Sequence, residues 1–141
     1  MVLGDHSSKL ELTVLEISAA IPGRAPGGDV RVTAQVSYGA FAGAVDVWIA
    51  QDRWHTFHRA LEALDRTRQG QAVLESQSPG ELRLCVRSLD RLGHLGVEGE
   101  LTSRVLPTTT RQPQALRLEF GAIEFDPTLL PVLIAELARP V

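Results

Sequence analysis

Residues 80–104 alternate apolar and polar side chains twice, through Gly80-Glu-Leu-Arg-Leu-Cys-Val-Arg-Ser and again through His94-Leu-Gly-Val-Glu-Gly-Glu-Leu-Thr-Ser-Arg, with a turn between them. A period of two sends successive side chains to opposite faces, so each half reads as a strand with one buried and one wetted face. The wetted face carries Arg83, Arg87, Glu98, Glu100 and Arg104, a mixture of both charges. The buried face needs cover from elsewhere in the chain, which limits the fold to a sheet packed against further elements.

The rest of the chain supplies them. Lys9–Ser18 reads as a strand with Leu10, Leu12 and Val14 on one face. Leu15 and Ile17 then fall out of phase, which predicts a bulge or burial on both faces. Val30, Val32, Ala34, Val36 and Tyr38 form the cleanest half-buried strand, and Phe41–Ala50 follows after a tight turn. From Asp52 to Gln69, Trp54, Phe57, Leu61 and Leu64 fall at helical spacing. Gly70 stands where a glycine cap would end that helix. Strands follow at Gln71–Ser76, Glu81–Leu89, His94–Leu106 and Gln114–Phe125, the last with Gly121 at a predicted bulge. Asp126 and Pro127 then open a closing helix as N-cap and first residue.

The expected architecture is therefore α+β. It is a single antiparallel, strongly twisted sheet of about seven strands in the order β-β-β-α-β-β-β-β-α, with the helices on one face. Residues 1–141 read as one domain, with a flexible N-terminus over 1–8 and loops over 19–28 and 107–113. A hydrophobic fraction of 44% and a charged fraction of 22% are those of a folded chain, not a disordered one.

Charge and cysteine content narrow the function. A net charge of −3 gives no electrostatic case for nucleic acid. No apolar run approaches the roughly 20 residues of a membrane span. One cysteine, Cys85, makes no internal disulfide, and the N-terminal residues lack the basic flank and apolar stretch of a signal peptide. The expected location is the cytoplasm, as a monomer or weak homodimer.

Four groupings bear on chemistry. Asp52, His55 and His58, with Glu62 beyond, could line one helical edge and hold a divalent metal. One helix supplying every ligand leaves such a site open, and Trp54 and Phe57 make the histidines core-boundary residues, so neither metal nor cofactor is expected. Cys85 with His94 or Asp90 has the residue types of a nucleophilic pair, but a small residue in mid-strand is more simply packing. Gly27-Gly28 precedes a strand and lacks the helix N-terminus that cradles phosphate. Glu98 and Glu100 share a strand face, where arginines on neighbouring strands would form a cross-strand charge ladder with them instead of leaving two carboxylates for acid–base work. With Val45, Val47 and Ile49 inward, Trp48 points to the polar face beside Asp46, where it either anchors an interface or is covered by the loop or helix that follows.

Two segments, Gly80–Leu101 and Leu116-Arg-Leu-Glu-Phe-Gly-Ala-Ile-Glu-Phe-Asp-Pro-Thr-Leu-Leu130, resemble the small bacterial WapI-like immunity proteins and related domains of the same length. The likeness extends to a strand-rich first half followed by a helix of the Trp54–Leu64 kind, and Glu-Phe-Asp-Pro-Thr-Leu-Leu is its most specific part. The resemblance implies a non-enzymatic role, the binding and neutralising of a cognate toxin domain. Such a role needs no catalytic group, only a rigid face complementary to its target. The expected face comprises Arg83, Arg87, Glu98, Glu100, Arg117 and Glu119, with Trp48 as anchor. The alternative is a small-molecule-binding or sensing module that uses a concavity between sheet and helices.

Overall fold

The computed structural model describes residues 1–105 and 114–138, so the loop expected over 107–113 lies outside the described residues. The chain runs β1 (Val2–Gly4), β2 (Ser8–Ile17), β3 (Val30–Tyr38), β4 (Phe41–Ile49), α1 (Gln51–Thr67), β5 (Gln71–Glu75), β6 (Leu82–Ser88), β7 (Leu95–Val105), β8 (Gln114–Phe125), a 3-10 turn (Pro127–Leu129) and α2 (Leu130–Ala138). All strand neighbours are antiparallel.

The α+β class and antiparallel pairing are as expected, but the single sheet of about seven strands is in fact two sheets of four, β1-β2-β3-β4 and β5-β6-β7-β8. The break falls where α1 interrupts the strand succession. β5 packs against α1 and makes its ladder only with β6, so among the described residues no strand ladder joins the two sheets. Each half satisfies its own backbone by local hairpins, the cheaper closure for short connections.

The additional strand is β1, in the segment expected to be flexible. Met1 donates its amino group to the Leu12 carbonyl at 2.9 Å, Leu12 N–H donates back to the Met1 carbonyl, and Leu3 is only 1% exposed. One well-buried leucine contributes about 1.5–3 kcal/mol, enough to hold a three-residue edge strand in place.

The inward residues of both sheets and the apolar stripes of both helices form one core: Val30, Val32, Ala34 and Val36 of β3, Leu82, Leu84 and Val86 of β6, Trp54, Phe57, Leu61 and Leu64 of α1, and Leu130, Leu133 and Leu137 of α2. Both predicted bulges are present. In β2 the register passes from Val14↔Val32 to Glu16↔Arg31, leaving Leu15 as the extra residue. In β8 Phe120 faces Gly99 and Ile123 faces Val97, so Gly121 and Ala122 together oppose Glu98.

The ends of α1 depart from expectation. Its N-cap, Ala50, offers no side-chain cap; instead Asp29, from the β2–β3 loop, accepts from Gln51 N–H at 3.1 Å. Its C-terminus closes at Arg68, in the left-handed conformation with φ 55°, whose N–H donates to the Leu64 carbonyl, two residues before the expected Gly70. Asp65 holds the Arg68 guanidinium at 3.4 Å, which offsets part of the roughly 1–2 kcal/mol cost of that backbone in a residue with a Cβ. Asp126 and Pro127 open the closing region, but as cap and first residue of the 3-10 turn Pro127–Leu129, with Asp126 accepting from Thr128 N–H. The α-helix itself begins at Leu130.

Candidate functional site

β5, β6, β7 and β8 each place alternate side chains on the outer face of the second sheet, where arginines pair with glutamates across and diagonally between strands. Arg117 bridges Glu100 and Glu119, which face each other. Arg83 sits opposite Glu100 and also reaches Glu75 at 3.3 Å. Arg87 donates twice to Glu98, at 3.0 and 3.4 Å, a forked pair that holds its guanidinium charge still more firmly. Arg117 bonds Glu100 and lies 3.6 Å from Glu119. The expected ladder is therefore present, and both Glu98 and Glu100 are taken up by arginines. Individual exposed pairs contribute only about 0.2–1 kcal/mol each. Their importance is geometric, because mutual pairing holds long side chains in fixed positions around a shallow hollow of about 320 Å³.

The six charged residues are brought together; Trp48 is not among them. It lies half-buried on the outer face of the first sheet, opposite Arg31, which in turn pairs with Glu16 at 3.4 Å and Asp46 at 3.5 Å. Its neighbourhood is charged, as the alternation requires, but it belongs to the other sheet.

The aromatics that do border the ladder are Tyr38 and Phe41, paired across the tight β3–β4 turn and respectively 50% and 76% exposed. A groove of about 430 Å³ runs from this hairpin tip to Arg117–Gly121 on β8, sharing Glu119, Phe120 and Gly121 with the charged hollow. Gly43 of β4 allows the close approach, since a Cβ there would stand 3.2 Å from Leu118 Cδ1, tighter than ordinary contact. The signal in the sequence was the pair of aromatics flanking Gly39-Ala40, which alternation alone assigns to a turn and not to an anchor.

The other groupings come apart. Cys85 is buried on the same face between Val73 and Glu98, and burial pushes its thiol up, with Glu98 adding to the shift and Arg83 and Arg87 opposing it. It is a protonated packing residue at neutral pH. His94 stands in the β6–β7 turn, bonded through Nδ1 to Asp90 at 2.5 Å, and does not meet Cys85. On α1, Asp52 lies toward β5 with Thr56 and Glu75, while His55 and His58 line a separate cavity. Among the described residues no three His, Cys, Asp or Glu side chains gather around a point that could hold a metal ion. No described helix is long and apolar enough to cross a membrane.

No family model, curated protein or solved structure matches the chain.

Proposed function

We propose that this chain is a non-enzymatic protein-binding domain of the immunity type, which neutralises a toxin domain by occluding it in the cytoplasm. The observation that carries the reading is the meeting, across β8, of the pre-paired charge ladder with the exposed Tyr38–Phe41 tip. Exposed aromatics at the edge of a fixed charge pattern combine the two parts of a specific protein interface. The rings supply buried area at low entropic cost, and the charges select and steer the partner. The resemblance of Gly80–Leu101 and Leu116–Leu130 to WapI-like immunity proteins supports the same reading.

The test is co-purification with the toxin-like domain encoded beside its gene, with growth rescue on co-expression. A stable complex is expected. Phe41→Ala should weaken it by about 2 kcal/mol or more, the scale of an interface hot spot. The double charge reversal E98K/E100K should slow association and abolish its salt dependence. A folded, active toxin domain that neither binds nor is neutralised would remove the immunity reading. Unchanged affinity in E98K/E100K would move the interface off this face.

The alternative, a small-molecule module, is favoured by a separate observation: a cavity of about 570 Å³ between β2, β3 and the two helices.

A further inference from the structure

That cavity results from the bulge in β2. With Leu15 as the extra residue, the strand returns Ile17 to the inward face, where it pairs with Val30 across the ladder and continues the line of Val14. Leu10 and Leu12 of β2 and Val30, Val32, Ala34 and Val36 of β3 on this face are buried and Val14 is half-buried, whereas Ile17 is 40% exposed. Val14, Val30, Trp54 and Leu137 make an apolar floor, with Ile17 at its exposed edge, that no described side chain fills.

The walls are held rigidly. Asp29 accepts from Gln51 N–H at 3.1 Å and from Gln77 Nε2 at 2.8 Å, tying the β2–β3 loop to the start of α1 and to the β5–β6 turn. Ser18 and Asp29 bond each other through both backbone and side chain, closing the base of that loop. The Gln51 amide lies over Gly28, where a Cβ would stand 2.6 Å from it, and Gly28 has a φ of 91° that only glycine adopts readily. On the helix side, His58 donates from Nε2 to the Ile134 carbonyl at 3.0 Å and so locks α1 to α2. These bonds tie the walls around a concavity of ligand-site size.

Its polar groups are the Gln51 amide, the His55 and His58 rings and the Arg59 guanidinium, with no carboxylate among them. His55 and Arg59, one helical turn apart, line it from α1, and among the described residues neither makes an ion pair or a side-chain hydrogen bond. Glu62, three residues beyond Arg59 on the helix, lies 3.9 Å from His58 Nδ1. An apolar floor with a guanidinium at the rim that no described carboxylate pairs suits a molecule with a hydrocarbon body and one negative end. We propose that the cavity between β2, β3, α1 and α2 binds a small amphipathic monocarboxylate, with its apolar part on Ile17, Val30 and Trp54 and its carboxylate on Arg59. The guanidinium offers the forked donor geometry that a carboxylate accepts.

The test compares decanoate, decanol and decylamine, all below their micellar concentrations, by calorimetry and thermal shift on the full chain. Decanoate should bind saturably and raise the Tm, with decanol at least tenfold weaker and decylamine weaker again. Arg59→Gln should weaken decanoate about tenfold and leave decanol unchanged. Ile17→Trp, placed at the exposed rim so that the fold survives, should abolish binding of both, with circular dichroism confirming the fold. Bound decanoate should also shift the Trp54 indole and His55 ring resonances. Equal affinity for decanoate and decanol, insensitivity to Arg59→Gln, or no saturable binding would each overturn the assignment.

Discussion

Each sheet carries one bulge, and the two end differently. In β8 the extra residue at Gly121–Ala122 returns Ile123 and Phe125 to the buried face shared with Phe120. In β2 the extra residue, Leu15, returns Ile17 to the face of Val14. The backbone device is the same, yet Ile123 is 2% exposed and Ile17 40%. What differs is the cover. β1 packs beside the far end of β8, with Gly4 against Ile123, whereas beyond Ile17 lies the 570 Å³ cavity. An inward aim gives burial energy only where another element stands to be packed against. One bulge closes the core; the other opens a site.

The largest effect should come from truncating the two isoleucines in parallel. Ile123→Ala leaves a void in packed core and should cost about 2–5 kcal/mol. Ile17→Ala removes a side chain that already faces open space and should cost below about 1 kcal/mol. Urea midpoints at constant m-value measure both. Equal losses would show that the β2 end is as well packed as the β8 end, and the comparison would break.

How much of this was legible in the sequence follows from the same two strands. The phase slips at Leu15 and Gly121 can be read from hydrophobic alternation, because a period of two has only two phases and a slip is visible. So can the burial of Val30, Val32, Ala34 and Val36, and the capping of the closing region by Asp126 and Pro127. The division into two sheets cannot, since alternation records which face a residue takes and not which strand lies beside it. That is also why Trp48 joins the ladder in a one-sheet reading and leaves it in a two-sheet structure. The cavity was hidden for a further reason: Val14, Ile17 and Val30 have the composition of core, and whether an apolar residue meets a neighbour or a void depends on tertiary packing alone. Alternation places Tyr38 and Phe41 at strand ends, and their exposure depends on what packs beside the hairpin tip, which the pattern does not record.

Two glycines beside the β8 bulge sharpen the comparison at smaller magnitude. A Cβ on Gly99 would lie 2.2 Å from the Arg83 carbonyl oxygen, a backbone atom that moves only with the ladder. Gly99→Ala should therefore cost about 1–3 kcal/mol through forced displacement of β6 from β7. At Gly121 nothing lies within 4 Å of the added carbon, and Gly121→Ala should stay within about 0.5 kcal/mol of the parent protein. Thermal unfolding of the two variants decides it. A large loss at Gly121 would mean that the bulge needs glycine for its backbone, not for space.

The smallest effect lies at the turn joining β6 to β7, away from both bulges. Asp90 accepts from His94 Nδ1 at 2.5 Å and from Leu92 N–H at 2.7 Å. The Asp90 bond and charge, with Glu124 adding a little, hold the His94 imidazolium above its ordinary value, and the His94 bond chiefly lowers the Asp90 carboxyl. A raised histidine contributes stability that is full below its unfolded pKa and is lost as pH rises through the folded one. A lowered carboxyl contributes above its unfolded pKa and is lost as pH falls through the folded one. The turn is thus most stable in mildly acid solution, between the ordinary carboxylate and imidazole values, and loosens first toward alkaline pH. Both groups are open to solvent, so salt should weaken the effect. A proton NMR titration of His94 should give a pKa above that of free imidazole side chains, returning toward it in Asp90→Asn. An ordinary value in the parent protein would mean that the turn is held by the Asp90 bonds to the backbone alone, and stability near neutral pH would then be indifferent to His94.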